Sequence, residues 1–241
     1  MANTYFEFQK FKVHHDRCAM KVGTDGVLIG AWAHAENQGS ILDVGTGTGV
    51  IALMMAQRFR HTNITAIDID ADAVSQATEN VASSMFSDRI NVKLEDIRQF
   101  QPSEKFDCIV CNPPFFTENI LPLNAARNIA RNTSSLSFES LIRNVTRILS
   151  PSGLFNIIVP TKSEEDLESL GLIFGLHLMR KCRVKTTTSK PAKRTMFTFS
   201  FSNECKKSNE SLVIQKCTGI YSEEYIRLTQ DFYLLQTFAT H

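Results

Sequence analysis

Asp43-Val-Gly-Thr-Gly-Thr-Gly49 sets an acid and three alternating glycines between an apolar stretch and a helical one. Glycine allows close approach of a ligand to the backbone. The free N–H groups of the helix start that follows favour negative charge. A second acid, Asp68, ends the next apolar stretch 25 residues on, where a carboxylate can accept both hydroxyl hydrogens of a ribose. A third, Asp96, follows the third such stretch, near where an adenine ring would lie. Asn112-Pro-Pro-Phe115 follows the fourth, 69 residues past Asp43. Its prolines lack N–H groups and fix φ. The Asn112 side-chain oxygen and the Pro113 carbonyl can therefore be aimed rigidly at the two hydrogens of a planar NH₂ group, while Phe115 offers a flat face to the ring that carries it.

The elements that must position these residues are legible in the alternation of short apolar runs with helical patterns. Strands are expected at Ile41–Val44, Ile64–Asp68, Ile90–Leu94, Phe106–Val110 and Leu154–Val159. Helices are expected at Val50–Arg58, Ala71–Val81 and Phe138–Leu149, the last stopped by Ser150-Pro-Ser-Gly153, with another starting at Ser163–Leu170. In Ala71–Val81, Val74, Ala77, Thr78 and Val81 share one face. Two or three further strands follow, near Leu176–Val184, Met196–Phe201 and Leu212–Gln215, with no clear helix between them. This pitch predicts an α/β fold, a doubly wound and mainly parallel sheet ending in an antiparallel C-terminal hairpin. Ligands of such sheets bind beyond the carboxyl ends of the strands, at the point where strand order reverses. One domain, residues 40–241, is expected behind an N-terminal arm, residues 1–39.

Composition sets the outer bounds. The chain has 241 residues, 43% hydrophobic and 21% charged, with 7 prolines, which excludes a disordered or fibrous protein. The longest apolar runs, Gly26–Ala33 and Val50–Ala56, are far shorter than the roughly 20 residues a membrane helix needs. No basic start followed by an apolar stretch marks a secretory signal. A soluble cytoplasmic protein with no membrane partner is expected. The six cysteines are scattered and suggest no disulfide framework. Cys108 and Cys111 form a C-x-x-C, but within a strand residues three apart point to opposite faces. No second pair completes a zinc site, so no metal is expected. His14 and His15 are read as surface or fold-edge histidines, and Trp32 as core.

The acid followed by G-x-G-x-G differs from the dinucleotide fingerprint G-x-G-x-x-G. It resembles motif I of class I S-adenosylmethionine-dependent methyltransferases. That resemblance implies a Rossmann-like, seven-stranded sheet. It also implies that Asp43 and the turn Gly45, Gly47 and Gly49 hold the methionine end of S-adenosylmethionine, Asp68 with Ile69 the ribose, and Asp96 with Ile97 the adenine. Asn112, Pro113, Pro114 and Phe115 resemble motif IV of methyltransferases that modify an exocyclic or amide nitrogen. The implied chemistry is an in-line displacement in which positioning does most of the work. No strong general base is needed, because a methylated ammonium loses its proton readily.

Several families share these motifs, and three differ from this chain in layout. Protein glutamine methyltransferases carry a longer helical N-terminal domain. Ribosomal RNA guanine-N2 enzymes commonly have a duplicated domain, and DNA adenine enzymes usually add a target-recognition domain. By contrast, Phe6 to Phe11, His15 to Trp32, Asn112 to Phe116, Lys190-Pro-Ala-Lys-Arg194 and Tyr225 to Tyr233 closely resemble the bacterial tRNA-Val adenine-37 N6-methyltransferase family, over nearly the whole chain. The family implies N6-methylation of the adenosine beside the anticodon of a valine tRNA. By position, Lys21 to Gly26 resembles the segment that folds over the cofactor, with Thr24 and Asp25 near its methionine end. One departure is Phe115, where the family often has tyrosine. Stacking survives that change; a phenolic hydrogen bond would not.

A net charge of +1 means that any RNA surface is local. Residues 180–194 hold seven cations and no acid, and Arg127 and Arg131 follow the Asn-Pro-Pro-Phe segment. Arg127, Arg131, Lys185, Lys190, Lys193 and Arg194 are the candidates to neutralise phosphates. Phe6, Phe8 and Phe11 could stack bases but fit core packing better. A monomer is expected. Two other functions remain open on the residues: methylation of ribosomal RNA guanine N2 or a protein glutamine amide, and a non-catalytic RNA-binding protein on the same fold.

Overall fold

A computed structural model describes residues 3–18, 20–35, 38–113, 136–203, 207–234 and 237–238. Pro114, Phe115, Arg127 and Arg131 lie outside the described residues, as does Cys205.

The chain opens with an antiparallel hairpin, β1 (Tyr5–Glu7) and β2 (Lys12–His14), then α1 (Thr24–Trp32). The alternating core follows: β3 (Gln38–Val44), α2 (Val50–Arg58), β4 (His61–Asp68), α3 (Ala71–Ala82), β5 (Ile90–Leu94), β6 (Phe106–Cys111), α4 (Phe138–Ile148) and β7 (Leu149–Pro160). A 3-10 turn (Thr161–Ser163) leads into α5 (Glu164–Ile173), then β8 (His177–Thr187), β9 (Ala192–Ser200), β10 (Ser208–Cys217), β11 (Ile220–Tyr221) and α6 (Glu223–Thr229). The main sheet has nine strands in the order β11-β10-β8-β9-β7-β6-β3-β4-β5.

The seven strands from β8 to β5 are the expected set, with β9 antiparallel to both its neighbours. Two strands extend it. The segment near Leu212–Gln215, expected in an antiparallel edge, runs parallel to β8. The reason is topological. β9 inserts between β7 and β8 and returns the chain to the edge where β8 began. A strand starting there on the outer side of β8 must run with it. A second correction concerns Ser150–Gly153, which do not form a free turn. α4 ends at Ile148 and β7 starts at once. Leu149 pairs with Phe106 and Leu154 with Cys108, so the intervening residues form a bulge.

The sheet is covered on both faces. One buried cluster joins α1, α2 and α3 with the arm and the C-terminal segment; the other joins α4 and α5 to the opposite face. Cys108 lies in the first and Cys111 in the second, so the two thiols face away from each other as their spacing requires. Phe8, Phe11 and Trp32 are buried, and Phe6 packs against them. α1 crosses α2 closely because Gly30 has no Cβ; one added there would lie 3.2 Å from Met54 Cβ. Among the described residues no helix is long and apolar enough to cross a membrane.

Candidate active site

Strand order reverses between β3 and β6, and the register there decides the geometry. Val44 is paired with Cys111 and with Ile67, and Asp68 with Leu94. The next residues of each strand, Gly45, Asn112, Ile69 and Glu95, therefore emerge side by side at the carboxyl edge. The Gly45–Gly49 turn is pinned there. Gly45 and Thr46 donate their N–H groups to the Ile67 carbonyl, at 2.9 and 3.0 Å, and Gly47 donates to Asp68 Oδ2 at 2.9 Å. Gly45, Gly47 and Gly49 all have positive φ, and Gly49 turns tightly enough to sit against Ala77.

Two cavities open on this edge. The smaller, about 290 Å³, is walled by Gly45, Gly47, Asp68, Ile69, Asp96, Ile97, Arg98 and Cys18. Ile97 is buried, while Ile69 is 56% exposed, and the acids Asp68, Asp70, Glu95 and Asp96 line the same cavity. The Asp96 carboxylate is held by Arg98, whose side chain donates to both oxygens and keeps the group below its ordinary value. Arg147 on α4 donates to the carbonyls of Ile97 and Phe100 and so fixes the turn that carries Asp96. Burial, reinforced by Asp68 and Asp70, pushes the Cys18 thiol up to about 11.

The larger cavity, about 970 Å³, is lined by the turn, the start of α1, the segment after β7 and the start of β9. Lys21, Thr24 and Asp25 line it from one side, and Thr161, Lys162, Lys193 and Arg194 from the other. Arg194 Nε donates to Asp25 Oδ2 at 2.7 Å across the mouth.

Asn112 lines both cavities, together with Met20, Gly45 and Gly47. Its side-chain oxygen is buried and accepts no hydrogen bond. Leaving such an acceptor unpaired costs about 1–3 kcal/mol, and this one, unlike the unpaired Asp43 Oδ1, belongs to a residue on the wall of both cavities. Pro113 follows it, buried, on the wall of the smaller cavity.

Two of the expected cofactor residues stand behind the site rather than on it. Asp43 is fully buried and lines neither cavity. Its Oδ2 accepts from the Thr46 hydroxyl at 2.6 Å and from the Ala52 N–H at 3.2 Å, which ties the turn to α2; its Oδ1 has no partner. Burial pushes its carboxyl up to about 7. Gly49 likewise shapes the turn from outside the cavities. Lys185 and Lys190 also line neither, Lys190 lying in the exposed turn between β8 and β9. Thr161 and Lys162 carry no motif and were not expected. The available signal was a lysine directly beyond the carboxyl end of β7, the edge where α/β sheets bind ligands. Among the described residues no group of three or more His, Cys, Asp or Glu side chains could hold a metal.

Comparison with known proteins gives the family. A profile described as "Methyltransferase small domain" matches residues 23–166. A Phocaeicola vulgatus protein named tRNA1(Val) (adenine(37)-N6)-methyltransferase is 48% identical over 97% of this chain and 99% of its own length. A Pseudoalteromonas translucida protein of the same name is 42% identical over 95% and 98%. The chain belongs to this methyltransferase family. Solved structures share the fold at low identity. A predicted O-methyltransferase from Agrobacterium tumefaciens matches 86% of this chain and 96% of its own with a TM-score of 0.67 at 18% identity. The CcbJ methyltransferase from Streptomyces caelestis matches 77% and 95% with a TM-score of 0.55 at 10%.

Proposed function

We propose that this protein transfers a methyl group from S-adenosylmethionine to N6 of adenine 37 in the anticodon loop of a valine tRNA. The observation that carries the reading is the unpaired Asn112 oxygen between two cavities at the switch point. The names of full-length relatives supply the substrate.

The smaller cavity suits an adenosine. Asp68 can accept from a ribose diol, Ile69 and Ile97 can sandwich a purine, and Asp96 stands by its amino edge. The Gly45–Gly47 turn and the Thr24–Asp25 start of α1 would hold the methionine end, with Asp43 keeping the turn in shape. When bound, the cofactor supplies a methyl group activated on a sulfonium. Asn112 Oδ1 accepts one N6 hydrogen of the target adenine and the Pro113 carbonyl accepts the other, which turns the nitrogen lone pair toward the cofactor side. Phe115, outside the described residues, is by its place in the motif the candidate to stack on the base. A base paired or stacked in RNA cannot reach this position, so the target nucleotide must be extruded into the larger cavity. The reading includes a monomer that acts where tRNA is found, in the cytoplasm.

Methyl transfer from labelled cofactor to unmodified total tRNA, followed by nucleoside analysis, tests the reading. Label in N6-methyladenosine is expected. Label confined to ribosomal RNA guanine or to protein glutamine would replace it with another substrate, and no label at all would favour a non-catalytic RNA-binding protein.

A further inference from the structure

The cations of the carboxyl edge fall into two groups. Those on the sheet surface are neutralised: Arg180 pairs with Glu210, Lys181 with Glu164 and Glu168, and Arg183 with Glu164. Arg194, at the mouth, pairs with Asp25. Lys21, Lys162 and Lys193 differ. They come from three separate places, the segment before α1, the turn after β7 and the start of β9, yet all three line the larger cavity. All three are exposed, and none has a carboxylate partner among the described residues. Among the described residues Asp25 is the one acid on that cavity's wall, and Arg194 already occupies it.

We propose that Lys21, Lys162 and Lys193 form a phosphate clamp for the backbone on either side of the extruded nucleotide. The inference rests on the tRNA reading above and adds the residues that hold the strand open. Drawing one base toward Asn112 brings its two flanking phosphodiesters to the rim. There the charge of that backbone must be met by cations that are not already paired. Lysine places a compact charge on a flexible four-carbon stem, which lets it follow a backbone phosphate. Lys21 thereby belongs to the RNA side of the cavity and Arg194 to the protein's own bridge.

The test is equilibrium binding of an unmodified valine tRNA anticodon stem–loop to the full chain, followed by fluorescence anisotropy from about 50 to 200 mM salt. Lys162→Ala is expected to weaken binding several-fold and to lower the slope of log affinity against log salt by about one unit. Its melting temperature and its affinity for S-adenosylmethionine should match the wild type. Lys93→Ala, an exposed lysine on β5 outside both cavities, should change nothing. A Lys162→Ala protein with wild-type affinity and slope overturns the clamp, as does an equal loss in Lys93→Ala. A lower melting temperature in Lys162→Ala would also overturn it, by showing a structural role. If the wild type shows no salt-dependent affinity for tRNA at all, the tRNA reading falls and takes the clamp with it. If the wild type methylates tRNA while Lys162→Ala binds it normally, only the clamp falls.

Discussion

Asp43 shows how far a single position can be read. Its place near a strand end, two residues before the first glycine of the turn, was legible; the resemblance put it on the cofactor, whereas its carboxylate accepts from Thr46 and Ala52 and so serves the turn. What spacing could not give is depth. Alternation says only that Asp43 and Gly45 share a face, not that α2 closes over the carboxylate and leaves the turn's glycines as the cavity wall. Its burial has a consequence for pH. The group ionises near its ordinary value of 3.8 in an unfolded chain but holds its proton to about 7 in the folded protein. The stability it contributes is therefore largest below 3.8 and is lost as pH rises toward 7. Asp43→Asn cannot ionise and escapes that loss. Its melting temperature relative to the wild type should climb between about pH 5 and 7.5 in thermal scans. A difference that stays flat or shrinks over that range would contradict the buried, raised carboxyl.

Among elements, those fixed by local periodicity were readable and those fixed by their neighbours were not. α2 and β5 match their expected bounds, since each carries its own apolar pattern and turn residues. β10 could not be oriented from sequence, because its direction follows from where β9 leaves the chain. Nor could the docking of the arm, which depends on polar groups far apart in sequence. Asn80 on α3 donates to the carbonyls of Thr48 in the glycine turn and His14 in β2, both at 2.9 Å, and accepts from the His14 N–H at 2.9 Å. Gln76 and Glu79 on the same helix hold Arg17. One side chain thus locks arm, turn and helix together. Asn80→Ala should lower unfolding free energy by about 1–3 kcal/mol in urea titrations, since the buried Thr48 carbonyl and the part-buried His14 carbonyl lose their donor. It should also weaken cofactor affinity through the slackened turn. Unchanged values for both would show that the arm docks by its apolar residues alone.

At the scale of the molecule, the two ends of the chain close on each other over the same face of the sheet. Phe8 stacks on Tyr233 with ring centroids 5.9 Å apart, and the Gln9 side chain donates to the carbonyls of Gln230 and Tyr233. α1, within the first forty residues, contributes Gly26–Trp32 to the largest buried cluster or its immediate surroundings. We propose that the arm and the sheet domain fold as one unit. Phe8→Ala should then lower stability by about 3–5 kcal/mol and shift a single unfolding transition; a separate early transition for the arm would contradict that. The function of the whole converges on Asn112, which lines both cavities. The most direct measurement is the single-turnover methyl-transfer rate of Asn112→Ala set beside its equilibrium affinity for S-adenosylmethionine. The account predicts a rate reduced by about 10²-fold or more with cofactor affinity near that of the wild type, and partial recovery in Asn112→Asp, which restores an acceptor. A rate equal to that of the wild type would contradict the account, and so would a loss explained wholly by failure to bind the cofactor.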